Sequence, residues 1–344
     1  MSAPAWEDDL LPGYQSVDLP LTDPVRAAGE PEDVELVGTL VRRVPVGGSS
    51  GRAVLYLHGW NDYFFQTHVA DFLAERGFDF FAVDLRRYGR SLRRGHLRGF
   101  ITDLDHYAAE LDAAIGIIRA DHDDVLLLGH STGGLIAALY AAGHPEHISG
   151  LALNSPWLDM QGSAMVRALG APVVDALGSR SPASVIRLPD LGLYARSVHA
   201  SFGGEWDYDL ELKSSPGPPI RVGWLRAILL GQQRVAAGLS LTMPVLVMAS
   251  ARTEFARRWH EGLRSVDTVL DVDQIVARAV RLGRHVTVVR IESGLHDLFL
   301  SAATTRVLAL EELGRWADAY VLEPGRPATP AGSGLSSPRA SLLR

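Results

Sequence analysis

A serine flanked by glycines constrains this chain more than any other feature of its sequence. Gly129-His130-Ser131-Thr132-Gly133 follows the apolar run Val125–Leu128 and leads into Gly133–Ala142, which has the composition of a helix. Glycines two positions either side let neighbouring backbone pass closely, and the helix start directs N–H groups towards the serine. We therefore predict a tight strand–turn–helix with Ser131 at its apex as a nucleophile.

The same pattern occurs a second time, in Gly47-Gly48-Ser49-Ser50-Gly51. This copy follows Pro45 and precedes an apolar run, Ala53–Leu57, so its context is typical of a flexible connector rather than of a strand-to-helix turn. Context therefore favours Ser131. The alternative for Ser131 is an idle serine in a glycine-rich turn.

Short apolar runs alternate with amphipathic segments on both sides of Ser131. This order predicts right-handed crossovers and an α/β fold, with a mostly parallel central sheet flanked by helices and a site beyond the carboxyl ends of its strands. The predicted strands are Val34–Val44, Ala53–Leu57, Phe78–Val83, Val125–Leu128, Leu151–Leu153, Met243–Ala249 and Val286–Ile291. The predicted helices are His68–Arg76, Tyr107–Ala120, Gly133–Ala142, Val272–Leu282 and Ala302–Tyr320.

The alternation of predicted strands and helices is interrupted once. One segment of different composition precedes it and another follows it. Residues 156–240 hold short apolar stretches broken by Gly and Pro, which predicts an inserted, largely helical cap, or lid. The core is then 34–155 together with 241–322. Residues 1–33, rich in Pro and acidic side chains, predict an N-terminal surface segment, and the Pro-, Gly- and Ser-rich 323–344 predicts a disordered tail.

Composition narrows the possible partners. The formal net charge of −7 argues against a nucleic-acid partner, and the absence of cysteine excludes disulfides, thiolate metal sites and a cysteine nucleophile. No apolar run reaches the ~18 residues of a membrane span, so we expect no stable membrane insertion. The acidic start, Met1–Asp9, does not resemble a signal peptide, and we expect a cytoplasmic protein without metal or cofactor. No oligomeric state is predicted.

A histidine on the loop after the last predicted strand is the candidate base. Gly294-Leu295-His296-Asp297 follows Val286–Ile291, where a side chain can reach the serine across the tops of the strands. The alternative is a surface-loop histidine. The remaining histidines lie at turns, at helix ends, in the cap or inside motifs, and none forms an H-x-H or H-x-x-x-H pair typical of a metal site.

The carboxylate that orients this base belongs after the strand Met243–Ala249. Asp271 has a structural duty available, because it precedes a predicted helix with Gln274 three residues later, as in a capping box. Asp267 has no such duty and is the favoured acid, with Asp271 as the alternative. Further acidic side chains follow the same strand: Glu254, Glu261 and Asp273.

Two backbone donors are needed where the substrate carbonyl oxygen becomes negative. The N–H of Thr132 follows the nucleophile directly, and the N–H of Trp60 lies in the loop after the first buried strand. We expect His58, Gly59 and His130 beside the substrate as well. For the two histidines, packing or hydrogen bonding within the protein is the alternative.

An arginine-rich turn, Asp84-Leu-Arg-Arg-Tyr-Gly-Arg-Ser91, closes another predicted strand. Its positive charges could bind an anionic headgroup. The alternative, which we favour, is that Asp84 and the arginines hold loops together by ion pairs and hydrogen bonds.

The order and spacing of LHGW, DLRRYGRS, GHSTGG, LNSPWLD and GLHD resemble the α/β-hydrolase superfamily, in particular its monoacylglycerol lipase, lysophospholipase and serine aminopeptidase-like branch. The resemblance covers about Val34 to Tyr320 and is weak through the cap. It implies the α/β-hydrolase fold with an inserted cap, Ser131 as nucleophile, His296 as base, and Trp60 and Thr132 as oxyanion donors.

The acid is where this chain departs from that family. Its members usually carry Asp a few residues after the strand, in a pattern like G-x-x-D-x-x-V, whereas Ala249–Phe255 here contains no Asp. A longer insertion precedes Asp267-Thr-Val-Leu, and aligning this stretch with the family pattern again selects Asp267.

These features together predict a serine hydrolase that cleaves carboxylic esters through an acyl-enzyme. Apolar stretches of the cap (Met165–Leu169, Val173–Leu177, Gly223–Leu230) suggest a pocket for an apolar acyl group, as in lysolipids or monoacylglycerols, although they could equally form the cap's own core. The alternatives are an amidase or peptidase, an acyltransferase or a perhydrolase with the same triad. A non-catalytic fold member that binds a ligand is the remaining alternative.

Overall fold

The computed structural model describes residues 4–22, 24–45, 49–160, 172, 174–187 and 190–321. Within these residues the chain forms a nine-stranded sheet and a separate two-stranded one. The strands are β1 Glu7–Asp8, β2 Tyr14–Pro20, β3 Val37–Arg43, β4 Arg52–Leu57, β5 Asp79–Asp84, β6 Asp124–His130, β7 Gly150–Asn154, β8 Val185–Ile186, β9 Ile220–Arg221, β10 Val245–Ser250 and β11 Val286–Ile291. The large sheet has the order β1-β2-β3-β5-β4-β6-β7-β10-β11.

Six neighbouring strands of this sheet run parallel: β5, β4, β6, β7, β10 and β11. Strands β1, β2 and β3 add an antiparallel edge. Strands β4, β6, β7 and β10 read as continuous apolar runs because helices cover both faces of a parallel sheet. The predicted mostly parallel sheet is confirmed. All carboxyl ends of these parallel strands lie at one edge, where the loops after them meet.

Seven helices with defined bounds occur in the described residues: α1 Thr67–Ala74, α2 Ala108–Ile118, α3 Thr132–Gly143, α4 Leu193–Val198, α5 Val222–Ala237, α6 Val272–Ala279 and α7 Ala303–Tyr320. Residues 174–180 are also helical. None of the helices in the described part of the chain is both long and apolar enough to cross a bilayer.

Side-chain alternation along the strands builds a separate core on each face of the sheet. Val125 and Leu127 of β6 pack into the cluster with α2, α3 and α5, whereas Leu126 and Leu128 pack into the cluster with α1 and α7. This is the period of two expected for strands. The sheet is therefore held between two apolar layers, as the sequence pattern predicts.

The N-terminal residues 1–33 are not only a surface segment, and this part of the prediction is wrong. Strand β2 pairs with β3 over seven residues, and its Tyr14 and Leu19 are buried. Its two buried side chains lie on opposite faces of the sheet, but YQSVDLP mixes apolar with polar side chains, so the strand lacks the apolar run that reveals an interior strand.

The segment between β7 and β10 contains β8, β9, α4 and α5. Helix α5 packs against α3, and its Trp224 and Ile228 belong to the main core. The division into a core and a cap at 156–240 stays a prediction, as does the tail. Residues 323–344 and the cap stretch Met165–Leu169 lie outside the described residues, and Val173–Leu177 is described only from Val174 on.

The arginine-rich turn after β5 is buried, and its charges pair within the protein. Arg86 and Arg87 are almost fully covered, and the turn ties the N-terminal segment to the core. The ion pairs are Arg86–Glu110 at 2.6 Å, Arg87–Glu30 at 2.6 Å, Arg90–Asp9 at 2.7 Å and Arg90–Asp84 at 2.9 Å. The structural alternative for this motif is therefore confirmed, and its arginines do not form a headgroup site.

Candidate active site

The turn at Ser131 is as tight as the sequence pattern requires. Ser131 has φ +54° and ψ −117°, a conformation that L side chains rarely adopt and that strained functional turns use. A Cβ at Gly133 would lie 2.2 Å from the carbonyl oxygen of His58, and one at Gly129 would lie 2.7 Å from the carbonyl oxygen of Gly133. Both positions therefore admit only glycine.

Three side chains from separate loops form a hydrogen-bonded chain at the carboxyl edge of the sheet. Ser131 Oγ lies 3.0 Å from His296 Nε2, and His296 Nδ1 lies 2.9 Å from Asp267 Oδ2. All three side chains are buried. With Nδ1–H donating to the carboxylate, Nε2 keeps a lone pair that can accept the proton of Ser131, so the histidine can act as a general base.

The structure brings Asp267, and not Asp271, to this histidine. Asp267 Oδ1 accepts the backbone N–H groups of Val269 at 2.7 Å and Leu270 at 2.8 Å, which leaves Oδ2 for His296. Asp271 caps α6 and accepts the N–H of Asp273 at 3.1 Å. The capping duty anticipated from the sequence is therefore what Asp271 performs.

The insertion ahead of Asp267 folds outwards and returns to the end of β10. Thr253 and Asp267 form a parallel bridge, in which Asp267 N–H donates to Arg252 at 2.9 Å and Glu254 N–H donates to Asp267 at 2.9 Å. Within the insertion, Glu254 pairs with His260 at 2.7 Å and does not reach the site. A carboxylate distant from β10 in sequence is thereby placed beside its carboxyl end.

The loop after β4 lies directly against the nucleophile. A Cβ at Gly59 would lie 3.1 Å from Ser131 Cβ, so this glycine allows the close approach. The backbone N–H groups of Trp60 and Thr132 donate to no backbone or side-chain acceptor in the described residues. They are thus available for an oxyanion beside Ser131, and their role as oxyanion donors stays a prediction.

The two histidines predicted beside the substrate differ in position. His58 donates from Nδ1 to the carbonyl of Gly59 at 2.7 Å and accepts the N–H of Leu85 on Nε2 at 3.1 Å. It is buried, both of its ring nitrogens are engaged inside the protein, and it does not line the cavity that opens onto Ser131. His130 lines the cavity, and burial lowers the pKa of its imidazole.

A cavity of about 820 Å³ opens onto Ser131 and His296. Gly59 and Trp60 line it on the core side, and most of the other walls come from the segment between β7 and β10. The lining includes apolar and aromatic side chains from that segment: Ile186, Tyr194, Tyr208, Pro216, Pro218, Pro219 and Ile220. The volume is within the range of small-molecule sites.

One charged pair in this cavity was not among the predicted site residues. Lys213 Nζ lies 2.7 Å from Asp62 Oδ1, both side chains are almost fully buried, and aromatic rings of Phe65 and Tyr208 surround the ammonium. The available signal was that Lys213 is the only lysine in a chain whose other basic residues are arginines. Coding bias explained that observation equally well, so the sequence alone did not assign it.

Comparison with known proteins identifies the family. The model of a family described as serine aminopeptidase, S33, matches residues 48–300, well over half of the chain. The chain belongs to this family. Membership of the serine aminopeptidase S33 family confirms the resemblance drawn from the motifs.

Two relatives of this S33 chain bear names that refer to activities. It is 28% identical over 200 residues to a monoacylglycerol lipase of Mycolicibacterium smegmatis, covering 57% of this chain and 68% of that protein. It is 41% identical over 99 residues to a non-heme haloperoxidase of Rhodococcus erythropolis, covering 28% of this chain and 33% of that protein. The chain thus spans only a third of the haloperoxidase's length.

Solved structures confirm the α/β-hydrolase fold for this S33 chain. The crystal structure of a monoacylglycerol lipase of Paleococcus ferrophilus has a TM-score of 0.62 at 17% identity, covering 83% of this chain and all of that one. A soluble variant of the monoglyceride lipase of Saccharomyces cerevisiae has a TM-score of 0.58 at 16% identity, covering 93% and 96%. At these identities the likeness concerns the fold alone.

Proposed function

We propose that the protein hydrolyses carboxylic esters through an acyl-enzyme, with Ser131 as nucleophile, His296 as general base and Asp267 as the orienting acid. The observation that carries the proposal is the unbroken hydrogen-bonded chain from Ser131 Oγ through His296 to Asp267, facing a cavity of small-molecule size. Nucleophile, base and orienting acid lie within reach of one another without any rearrangement.

Acylation follows from this geometry. Ser131 Oγ attacks the ester carbonyl carbon while its proton passes to His296 Nε2, and Asp267 stabilises the imidazolium that forms. The carbonyl oxygen becomes negative and is held by the N–H groups of Trp60 and Thr132. When the tetrahedral intermediate collapses, the C–O bond to the alcohol breaks and His296 returns the proton to the leaving alkoxide.

Deacylation repeats these steps with water. His296 removes a proton from a water molecule, the hydroxide adds to the acyl carbon, and the bond to Ser131 Oγ breaks with the proton returned to Ser131. The products are a carboxylic acid and the free enzyme. No metal or cofactor enters either half of the reaction.

For the substrate class we propose monoesters with one apolar acyl chain, of the monoacylglycerol or lysolipid kind. The aromatic and aliphatic lining of the cavity supports an apolar acyl group, and a relative bears the name monoacylglycerol lipase. Amide or peptide cleavage by the same triad is the second candidate, because the description of the family names an aminopeptidase. Acyl transfer, perhydrolysis and ligand binding without catalysis remain the alternatives predicted from the sequence.

The test is hydrolysis of p-nitrophenyl esters from acetate to laurate, of monoacylglycerols and of aminoacyl p-nitroanilides, by the wild type, Ser131→Ala and Ser49→Ala. Ser49 is the matched control, since it lies in the second glycine-flanked pattern but on an exposed turn. We expect ester turnover that Ser131→Ala abolishes and Ser49→Ala leaves unchanged. Turnover of anilides alone would favour the peptidase, and no turnover at all would contradict the proposal.

A further inference from the structure

The residue that follows the candidate base in sequence is a second buried carboxylate. It is Asp297, and its side chain is fully buried. Its oxygens accept Asn154 Nδ2 at 2.7 Å, Gln66 Nε2 at 3.1 Å and the backbone N–H of Phe299 at 3.1 Å. No Lys, Arg or His nitrogen of the described residues lies within 4.0 Å of it, so this carboxylate has no ion-pair partner there.

A buried charge without an ion-pair partner is costly, and a protein keeps it only where the surroundings compensate it. Burial acts to raise the pKa of Asp297, but the electrostatic influence of His130 and Lys213 and hydrogen bonds from Asn154 and Gln66 outweigh it and lower that pKa. Asp297 is therefore an anion at neutral pH. Its hydrogen bond to Phe299 caps a short helical turn, which an uncharged Asn could do as well.

Asn154, at the end of β7, connects this carboxylate to the nucleophile. Its backbone oxygen accepts the N–H of Ser131 at 3.1 Å and Nδ1–H of His130 at 3.1 Å. Its side chain donates to Asp297 and accepts the N–H of Leu298 at 3.3 Å. One residue thus holds both the nucleophile turn and the loop that carries the base.

We infer that Asp297 is a positioning residue for His296. Through Asn154 it fixes the base loop against the nucleophile turn, and its fixed negative charge favours the imidazolium that forms when His296 takes the proton of Ser131. The proton stays on His296 in this step, and Asp297 neither gains nor loses one. The inference rests on the proposed function, because it concerns the base of that reaction.

Other titratable and charged groups lie around Asp297 and His296 on the elements packed against them. None of these groups is substituted in the test below. They are Asp267, His130, Lys213, Asp62, Tyr56, Tyr194 and His68. A change in pH dependence on substitution of Asp297 alone is therefore attributable to its charge.

The test is Asp297→Asn, which keeps the shape and the acceptor for Phe299 but removes the charge. Rates are expressed per active site titrated with a fluorophosphonate. We expect kcat to fall about tenfold with KM within about twofold, and the acid limb of the kcat/KM–pH profile to move about one unit to lower pH. The direction follows because loss of a nearby negative charge lets His296 lose its proton more easily.

The matched control is Asp103→Asn. Asp103 caps a short helical turn in the same way, by accepting the N–H of Asp105 at 3.0 Å, but it is exposed. We expect wild-type kcat and an unmoved acid limb for this control. A purely structural role for Asp297 predicts lower stability with an unmoved acid limb, and that result would overturn the inference.

Asn154→Ser provides a second test should Asp297→Asn not fold. It removes the donor to Asp297 and leaves the charge, so we expect a lower kcat with the acid limb in place. Wild-type kcat in this variant would overturn the positioning role. If the wild type hydrolyses esters but neither variant differs from it, the inference fails alone. If the wild type neither labels nor hydrolyses esters, the proposed function fails and the inference with it.

Discussion

Substitution of Asp267 by Asn reverses the hydrogen-bond polarity at the base. In the wild type, Oδ1 accepts two backbone N–H groups at 2.7 and 2.8 Å, and Oδ2 accepts from His296 Nδ1 at 2.9 Å. The two N–H groups still require an acceptor in Asp267→Asn, so the amide oxygen stays with them and the NH₂ group turns towards the histidine. His296 Nδ1 must then accept, which places the proton on Nε2 and leaves no lone pair for Ser131.

This wrong tautomer removes the general base, and such a substitution lowers kcat by about 10⁴-fold in a serine triad. The loss corresponds to about 5.5 kcal/mol of activation free energy at about 1.4 kcal/mol for each tenfold change in rate. The backbone contacts of residue 267 are retained, so we expect the thermal midpoint and KM to change little. The measurement is kcat on a p-nitrophenyl ester, per folded protein.

Asp271→Asn is the matched control, since the sequence leaves both carboxylates as candidates. Asp271 caps α6, and Asn caps a helix about as well as Asp, so stability should fall by less than about 1 kcal/mol and kcat should stay at the wild-type value. A kcat of Asp267→Asn within tenfold of the wild type would refute the reasoning, as would a large loss in Asp271→Asn alone.

Three further substitutions test the surroundings of the site. Gly133→Ala places a Cβ 2.2 Å from a backbone oxygen, so α3 must shift, and we expect at least about 100-fold lower kcat; a near-normal rate would show that the turn is not rigid. Glu30→Gln leaves Arg87 buried without its counter-charge. Burial raises the pKa of Glu30, but hydrogen bonds from Arg87 and two backbone N–H groups outweigh it and lower that pKa to about 2. The contribution of the ionised Glu30 to the free energy of unfolding is therefore fully present above about pH 4.5 and is lost as the pH falls towards 2. This contribution amounts to about 3 kcal/mol, at about 1.4 kcal/mol per pH unit. Urea unfolding at pH 7 and pH 3 measures it, and a wild-type advantage that does not shrink at pH 3 would contradict the assignment. Lys213→Met leaves Asp62 buried and unpaired, and we expect a loss of about 3–5 kcal/mol in the same assay; a loss below about 1 kcal/mol would show that the pair contributes little.

The parts of the fold that sequence reasoning predicted are those whose pattern is local. Strand β6 is an apolar run buried on both faces, and the turn after it needs glycine at two fixed positions, so both leave a readable signal within a few residues. His296 could also be predicted from a local signal, because it lies on the loop that follows the last strand, β11. The prediction of Asp267 as the orienting acid depended on assigning Asp271 to the cap of α6.

The features that were missed depend on contacts distant in sequence. Strand β2 mixes polar with apolar side chains, so no apolar run indicates its place in the sheet. Lys213 meets Asp62 across 151 residues, and Gln66 reaches Asp297 across 231, and no local pattern encodes either contact. His58 belongs to a recognisable motif, but its role under the loop follows from the positions of two hydrogen-bond partners.

The measurement that tests the central claim most directly is the location of the covalent adduct. The wild type is treated with a fluorophosphonate, digested, and the modified peptide is identified by mass spectrometry, with Ser131→Ala treated in parallel. The account predicts one adduct per chain, on Ser131, and none in the variant. An adduct on Ser49 or another residue, or no adduct on a folded wild type, would contradict it.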